Sequence, residues 1–169
     1  MLSFCSSFLN DIGYFGCYPN EEQFKELLDN DFVYFIDLTT LKERNNLKFN
    51  YSLEIPKYKN IIYINFSIID NYIPHSPKLF QEFVCLLQTI IQKNKKVYIH
   101  CKGGHGRSPM IVASLLCSLF FYPPQKALTL TKNYYENRVN LKEKYKGVQC
   151  PQIYCQRKFI LDMYAKNQP

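Results

Sequence analysis

The chain has no tryptophan, only three histidines and no pair of cysteines spaced as Cys-x-x-Cys. The last two features argue against a structural zinc site, which needs four such ligands close together. The seven cysteines are odd in number and follow no framework spacing, so we expect reduced thiols in an intracellular compartment, either cytoplasmic or nuclear. Residues 1–10 have no basic segment before an apolar one, and the longest apolar run, residues 110–122, is too short to span a bilayer. We therefore expect neither a signal peptide nor a transmembrane segment.

Length and composition set the scale of the architecture. With 169 residues, 47% of them hydrophobic, the sequence predicts one domain over residues 1–169 with a core of its own. The formal net charge of +7 comes mostly from scattered lysines, for which the ordinary interpretation is a solvated surface. The alternative is a positive field that attracts phosphorylated substrates, acidic membranes or RNA.

The sequence is organised around residues 97–108, which read VYIHCKGGHGRS. A short apolar strand ends at His100-Cys101, a glycine-rich turn follows, and Arg107-Ser108 opens a long apolar helix. Backbone N–H groups in such a turn converge on an anion, and the helix dipole adds positive charge at the same point. Because this field stabilises a thiolate, Cys101 is predicted to act as a nucleophile near neutral pH.

An arginine at the end of this turn makes the pattern specific. The planar guanidinium of Arg107 can hold two oxygens of a tetrahedral oxyanion, and Ser108 offers a hydroxyl to the sulfur of Cys101. None of the other six cysteines has an arginine six positions later. An ordinary glycine-rich turn with a buried cysteine is the alternative. The residue types in the turn favour a phosphate group as the bound anion.

Short apolar runs predict the strands, and helical patterns fill the segments between them. The predicted strands are residues 12–16, 32–38, 61–66 and 96–99. Helix starts are marked by Asn20 with Gln23 and by Ser76 with Pro77, and two further helices are predicted at 107–120 and 125–137. Residues 39–59 are expected to form a long polar loop with room for one helical turn. This alternation predicts an α/β domain with a four- or five-stranded, mostly parallel, twisted sheet and helices on both faces.

The acid that phosphate-ester cleavage requires has one candidate, Asp70. A thiolate displaces an alkoxide or phenoxide poorly until the departing oxygen is protonated. Asp70 lies in the loop after the strand at 61–66, at the sheet edge where open α/β sheets bind ligands. No other acidic residue lies between Glu54 and Glu82. An ordinary turn residue is the alternative for Asp70, and Asp37 is predicted to be structural.

The residues His100, Cys101, Gly104, Arg107 and Ser108 resemble the His-Cys-x5-Arg-Ser signature of the cysteine-dependent protein tyrosine and dual-specificity phosphatases. The resemblance implies a compact fold like that of the dual-specificity phosphatases, with His100 supporting the nucleophile and Asp70 on the family's acid loop. It also implies that the substrate phosphate is held by Lys102, Gly103, Gly104, His105, Gly106 and Arg107. Pro109 stands where most members have glycine, and proline is tolerated in the first turn of a helix.

A second resemblance lies near the end of the chain. Gln152, Gln156 and Phe159 fit the pattern Gln-Thr-x-x-Gln-x-x-Phe of the glutamine loop of tyrosine phosphatases, with Ile153 in place of the threonine. The resemblance implies that Gln152 orients the water that hydrolyses the phosphoenzyme. The alternative is an ordinary terminal helix that packs on the core.

Together the two resemblances imply a phosphatase that acts on phosphotyrosine in proteins, and they leave open whether phosphoserine and phosphothreonine are substrates as well. Attack by Cys101 gives a phosphocysteine, Asp70 protonates the departing oxygen and water then releases phosphate, with Ser108 assisting; no metal or cofactor is required. Because Lys102 and His105 resemble the basic residues in the loops of phosphoinositide phosphatases, a lipid headgroup is an alternative substrate. RNA 5′-triphosphate is a third, and an inactive phosphate-binding adaptor is the alternative that is not an enzyme.

Overall fold

A five-stranded sheet forms the centre of the computed structural model, which describes residues 2–167. Its strands are β1 (Cys5–Phe8), β2 (Gly13–Gly16), β3 (Phe32–Asp37), β4 (Ile62–Asn65) and β5 (Lys96–His100). They lie in the order β1-β2-β5-β3-β4, with β1 antiparallel to β2 and all other neighbours parallel. This arrangement confirms the predicted mostly parallel α/β sheet.

Six helices in the described part of the chain surround the sheet. They are α1 (Glu21–Asp29), α2 (Leu41–Asn45), α3 (Pro77–Ile91), α4 (Arg107–Phe120), α5 (Pro124–Glu136) and α6 (Tyr154–Met163). The side chain of Asn20 accepts the N–H of Gln23 in a reciprocal capping box, and Ser76 caps α3 in front of Pro77, as the sequence predicted. None of the helices within residues 2–167 has the length and apolarity needed to cross a membrane.

Both faces of the sheet are buried, because side chains alternate between two cores along each strand. In β3, Tyr34 and Ile36 belong to the larger core, which α3, α4, α5 and α6 cover. Phe35 belongs to the smaller, aromatic core on the other face, which it shares with Phe24 of α1 and with Tyr51. This burial on both faces explains why residues 32–38 form a nearly continuous apolar run in the sequence.

Two segments differ from the sequence-based expectations. The strand β1 was not predicted, because its four residues CSSF show no period and it becomes a strand only by pairing with β2. Residues 39–59, predicted as a loop with room for one helical turn, contain the five-residue helix α2 and in addition two 3-10 turns. The side chain of Thr40 accepts the N–H of Glu43 and Glu43 reaches back to Thr40, a capping box that the sequence reasoning missed.

The parallel strands end together at one edge of the sheet. Gly16 of β2 and Asp37 of β3 are both in register with His100 of β5, and Asp37 is in register with Asn65 of β4. The loops after these four strands therefore meet at one place, where open α/β sheets bind their ligands. Asp37 itself is fully buried and accepts hydrogen bonds from Thr39 and from the hydroxyl of Tyr63, consistent with a structural role.

Candidate active site

The glycine loop, residues 101–107, connects the central strand β5 to the apolar helix α4. Its backbone is packed tightly against the end of β2. Gly104 has a φ of +75°, and a Cβ placed on it would lie 2.5 Å from the carbonyl carbon of Gly16. Only glycine fits at this position, both for its backbone conformation and for the space available.

Cys101 begins the loop with its sulfur inside the bend. The backbone N–H of Gly104 donates to Sγ at 3.2 Å, and the hydroxyl of Ser108 lies 3.6 Å from Sγ. The residue is only 2% exposed, yet it lines a cavity of about 310 Å³ that opens at the surface. The amide donor of Gly104 and the start of α4 hold the sulfur beside the cavity, where it can attack a bound group.

Most of the predicted site residues meet in this cavity. It is lined by Asp70, Cys101, Lys102, Gly103, His105, Gly106 and Gln152, together with Asn71, Ile153 and Gln156. Of the other predicted residues, Gly104 and Ser108 contact the sulfur of Cys101, and Arg107 pairs with Asp70. His100 is buried at the end of β5. Residues separated by more than 80 positions in the sequence thus form one site.

Arg107 is buried and its guanidinium is held in a fixed orientation. The carboxylate of Glu43 accepts from Nη1 at 2.8 Å and from Nη2 at 2.7 Å, and the carbonyl of Ile68 accepts from Nη1 at 2.8 Å. Burial opposes the charge on Arg107, but hydrogen bonding to Glu43 and the negative charges of Cys101, Glu43 and Asp70 raise its pKa above the ordinary value. Glu43 occupies the Nη1–Nη2 edge, so the edge formed by Nε and Nη2 is left for an oxyanion.

Glu43 is a site residue that the sequence reasoning missed. Burial acts to raise the pKa of its carboxyl group, but the hydrogen bonds from Arg107 and Thr40 outweigh it and the pKa is lowered. The Thr40–Glu43 capping box could have predicted a helix at this point, but no local signal links Glu43 to an arginine 64 residues away. The ion pair stabilises one rotamer of Arg107, so the guanidinium is preorganised.

The acid loop, residues 68–73, follows β4 and carries Asp70 over the cavity. The carboxylate of Asp70 is about half exposed and lies 2.9 Å from Nη2 of Arg107. Ile68 anchors the start of the loop, because it is buried and its N–H donates to the carbonyl of Leu38 at 3.0 Å. Asp70 can therefore reach a leaving group above Cys101 while remaining in contact with solvent.

His105 does not supply the positive charge that its position in the loop suggested. Its Nδ1 is hydrogen-bonded to the hydroxyl of Tyr135, and its ring stacks on Tyr145 with the centroids 3.9 Å apart. Burial, together with the charges of Arg138 and the nearby lysines, lowers the pKa of His105 to about 4. The imidazole is neutral at pH 7, so Arg107 and Lys102 are the positively charged side chains of the glycine loop itself. Arg138 adds positive charge from outside the loop, because its Nη2 donates to the carbonyl of Gly104 at 3.4 Å.

His100 lies on the opposite face of the sheet from Cys101. Its ring is fully buried among Tyr18, Tyr51 and Tyr98, and its Nε2 is hydrogen-bonded to the hydroxyl of Tyr51. Burial lowers the pKa of His100 to about 4, so the imidazole is neutral. Its predicted support of the nucleophile would thus act through the backbone of β5 and not through a charge.

The two glutamines of the second motif have different environments. Gln152 is exposed, and its backbone N–H donates to the carbonyl of His105 at 2.9 Å. Gln156, on the first turn of α6, is fully buried, and its Nε2 donates to the carbonyl of Tyr72 in the acid loop at 2.9 Å. Sequence reasoning noticed Gln156 as part of the pattern but assigned the role to Gln152.

Comparison with known proteins agrees with this fold. The matches identify the fold as that of the tyrosine and dual-specificity phosphatases. The model of the family described as "Polymorphic toxin system, DSP-PTPase phosphatase" matches residues 13–119, and the chain belongs to this family. The matched segment runs from the start of β2 to the penultimate residue of α4 and includes Asp70, Cys101 and Arg107.

Individual relatives support the same assignment. Protein 067L of Invertebrate iridescent virus 3, which is named as a tyrosine phosphatase, is 35% identical over 139 residues, or 80% of this chain and 55% of that protein. The chain spans about half the length of the curated relatives that it matches. Tk-PTP, solved in a mutant form, superposes with a TM-score of 0.76 over 98% of this chain and 97% of its own, at 20% identity. PTPMT1 in complex with PI(5)P superposes with a TM-score of 0.67 over 94% of this chain and 96% of its own, at 19% identity. Both of these structural similarities show the fold.

Replacing Glu43 with glutamine is expected to misplace Arg107, because an amide NH₂ would face one of the guanidinium donors. We expect orthophosphate to bind about 10²-fold more weakly, and the free energy of unfolding to fall by roughly 3 kcal/mol. Inhibition of turnover by orthophosphate measures the first effect, and urea denaturation measures the second. Glu54→Gln, which removes the partner of an ion pair with the exposed Lys57, is the matched control and should change both values little. Equal behaviour of the two variants would contradict the role assigned to Glu43.

Proposed function

We propose that this chain hydrolyses phosphotyrosine in proteins, and also phosphoserine or phosphothreonine, through a phosphocysteine intermediate. The observation that carries the proposal is that Cys101 and Asp70 face one cavity of about 310 Å³, beside an arginine whose orientation Glu43 fixes. A nucleophile, an acid and an oxyanion clamp are the three groups that this displacement requires.

In the first step the thiolate of Cys101 attacks phosphorus in line with the departing oxygen. The loop amides and the Nε–Nη2 edge of Arg107 bind the equatorial oxygens, and Asp70 transfers its proton to the leaving oxygen as the P–O bond breaks. The phosphoryl group is then bonded to Sγ, and the dephosphorylated tyrosine departs as a neutral phenol.

In the second step water attacks the phosphocysteine. Asp70, now a carboxylate, accepts a proton from the water, and the S–P bond breaks to give phosphate and the thiolate of Cys101. The hydroxyl of Ser108 lies 3.6 Å from Sγ and can donate to the sulfur as negative charge returns to it. We assign to Gln152, which lines the cavity, the role of orienting the attacking water.

A phosphoinositide is the second candidate substrate. PTPMT1, which has this fold, was solved with PI(5)P bound, and Lys102 lines the cavity here. The neutral and hydrogen-bonded His105 weighs against this candidate, because Lys102 is then the one positively charged side chain among the described residues that line the cavity, whereas a phosphoinositide headgroup carries more than one phosphate. We therefore rank phosphoproteins first.

A panel of phosphotyrosine and phosphothreonine peptides, phosphoinositides and triphosphate-ended RNA tests the proposal through released phosphate. We expect the phosphotyrosine peptides to give the highest kcat/KM. Rapid quenching with a ³²P-labelled peptide should also trap label on Cys101. Preferred release from the lipid or the RNA would replace the proposed substrate class, and binding without turnover of any member would indicate an adaptor.

A further inference from the structure

The acid loop is anchored at Ile68, whose N–H donates to Leu38 and whose carbonyl accepts from Arg107, but residues 69–73 have few polar contacts with the rest of the site. Within residues 2–167, Asp70 pairs with Arg107, Sγ of Cys155 lies 3.6 Å from the carbonyl of Asn71, and Nε2 of Gln156 donates to the carbonyl of Tyr72 at 2.9 Å. The side chains between these points project outward, with Ile69 and Tyr72 each 63% exposed. Residues 69–73 thus have little apolar packing to hold them over the cavity.

The ion pair of Asp70 cannot hold the loop during the reaction. Its partner atom, Nη2 of Arg107, belongs to the only edge of the guanidinium that Glu43 leaves for the substrate phosphate. A bound dianion competes for that donor and repels the carboxylate of Asp70. When Asp70 is protonated, as the first step requires, the charge that forms the ion pair is gone.

The contact of Gln156 with the loop is independent of these charges. An amide N–H that donates to a backbone carbonyl is neutral on both sides, and Gln156 is fully buried, whereas the Cys155 contact is a weak one made by sulfur. Gln156 also touches the glycine loop, since a Cβ placed on Gly106 would lie 2.7 Å from its Oε1. One side chain therefore connects the acid loop to the loop that carries Cys101.

We propose that Gln156 is a positioning residue that keeps the acid loop over the cavity while Asp70 carries the proton. The inference rests on the proposed function, because it concerns the placement of the acid. Its effect is exerted through Asp70 and not on the phosphate, so it should be largest for substrates whose leaving oxygen most needs protonation.

The test replaces Gln156 with methionine, which has a similar volume and no N–H donor. We expect kcat/KM for a phosphotyrosine peptide or an unactivated aryl phosphate to fall about 10-fold or more, and that for an aryl phosphate with an acidic phenol to change less than about threefold. The inhibition constant of orthophosphate should stay within about twofold, which reports that the glycine loop is intact. Lys158→Met, on the exposed side of the same helix, should match the unmodified chain.

A double-mutant cycle with Asp70→Asn distinguishes positioning from general damage. If Gln156 acts through Asp70, adding Gln156→Met to Asp70→Asn should cause no further loss with the unactivated substrate. An equal loss with both leaving groups, a loss that persists in the Asp70→Asn background, or weakened phosphate binding would each overturn the inference. Failure of the proposed function would show itself differently, as an unmodified chain that turns over no phosphate ester.

Discussion

The Cys101→Ser variant is expected to lose turnover of phosphotyrosine peptides, with kcat lowered by about 10⁴-fold or more. A serine hydroxyl is a far weaker nucleophile than a thiolate, because a hydroxyl is much less acidic than a thiol and oxygen is less polarisable than sulfur. The fold should survive, because the N–H of Gly104 that now donates to Sγ can donate to a serine oxygen in the same place. Phosphate release and the midpoint of thermal unfolding measure the two expectations.

A cysteine far from the cavity provides the matched control. Cys85 is exposed on α3, so Cys85→Ser makes the same chemical change at another site. It should retain the activity and the thermal midpoint of the unmodified chain. If Cys101→Ser kept substantial turnover while folding normally, the phosphocysteine mechanism would be wrong and the nucleophile would have to be sought elsewhere.

Replacing Asp70 with asparagine should slow the reaction in a way that depends on the leaving group. Loss of the proton donor is expected to cost about 10²- to 10⁴-fold for phosphotyrosine peptides, and much less for aryl phosphates whose phenolate leaves readily. Orthophosphate should bind more tightly to this variant, because the carboxylate that shares Nη2 of Arg107 with the phosphate is removed. Steady-state kinetics over a series of aryl phosphates, with phosphate inhibition, measures both effects.

Asp31→Asn is a suitable control for this series. Asp31 precedes β3, at the end of the sheet remote from the site, and its φ of +61° is a conformation that asparagine tolerates. It should behave as the unmodified chain. An equal loss for all leaving groups in Asp70→Asn would show that Asp70 shapes the site and that the proton comes from another group.

Arg107 contributes both to the proposed catalysis and to the stability of the fold. Its buried guanidinium pairs with two carboxylates, Glu43 on α2 and Asp70 on the acid loop. Cys101 lies close enough to act with them in raising the pKa of Arg107. One guanidinium must therefore form ion pairs with Glu43, with Asp70 and with the incoming phosphate. Since Glu43 is bidentate and Asp70 is bound through one atom, the phosphate is expected to displace Asp70 and leave Glu43 in place.

Features that depend on near neighbours in the chain could be predicted from the sequence alone. Cys101, the glycines and Arg107 lie within seven consecutive positions between a strand and a helix, so their convergence follows from local backbone geometry. The helix starts at Asn20 and Ser76 were predictable for the same reason, because a cap joins residues three apart. The position of Asp70 also followed from the sequence, because parallel strands direct their carboxyl ends to one edge of the sheet.

The way in which those groups are held and charged depends on the folded chain. The partners of Arg107 and of the acid loop, Glu43 and Gln156, are 64 and 84 residues distant along the chain, and no periodic pattern encodes such pairs. The neutrality of His105 likewise comes from burial against Tyr135 and Tyr145, which lowers its pKa to about 4. Local sequence specifies conformation over a few residues, whereas protonation and long-range contacts depend on what the tertiary structure packs against each group.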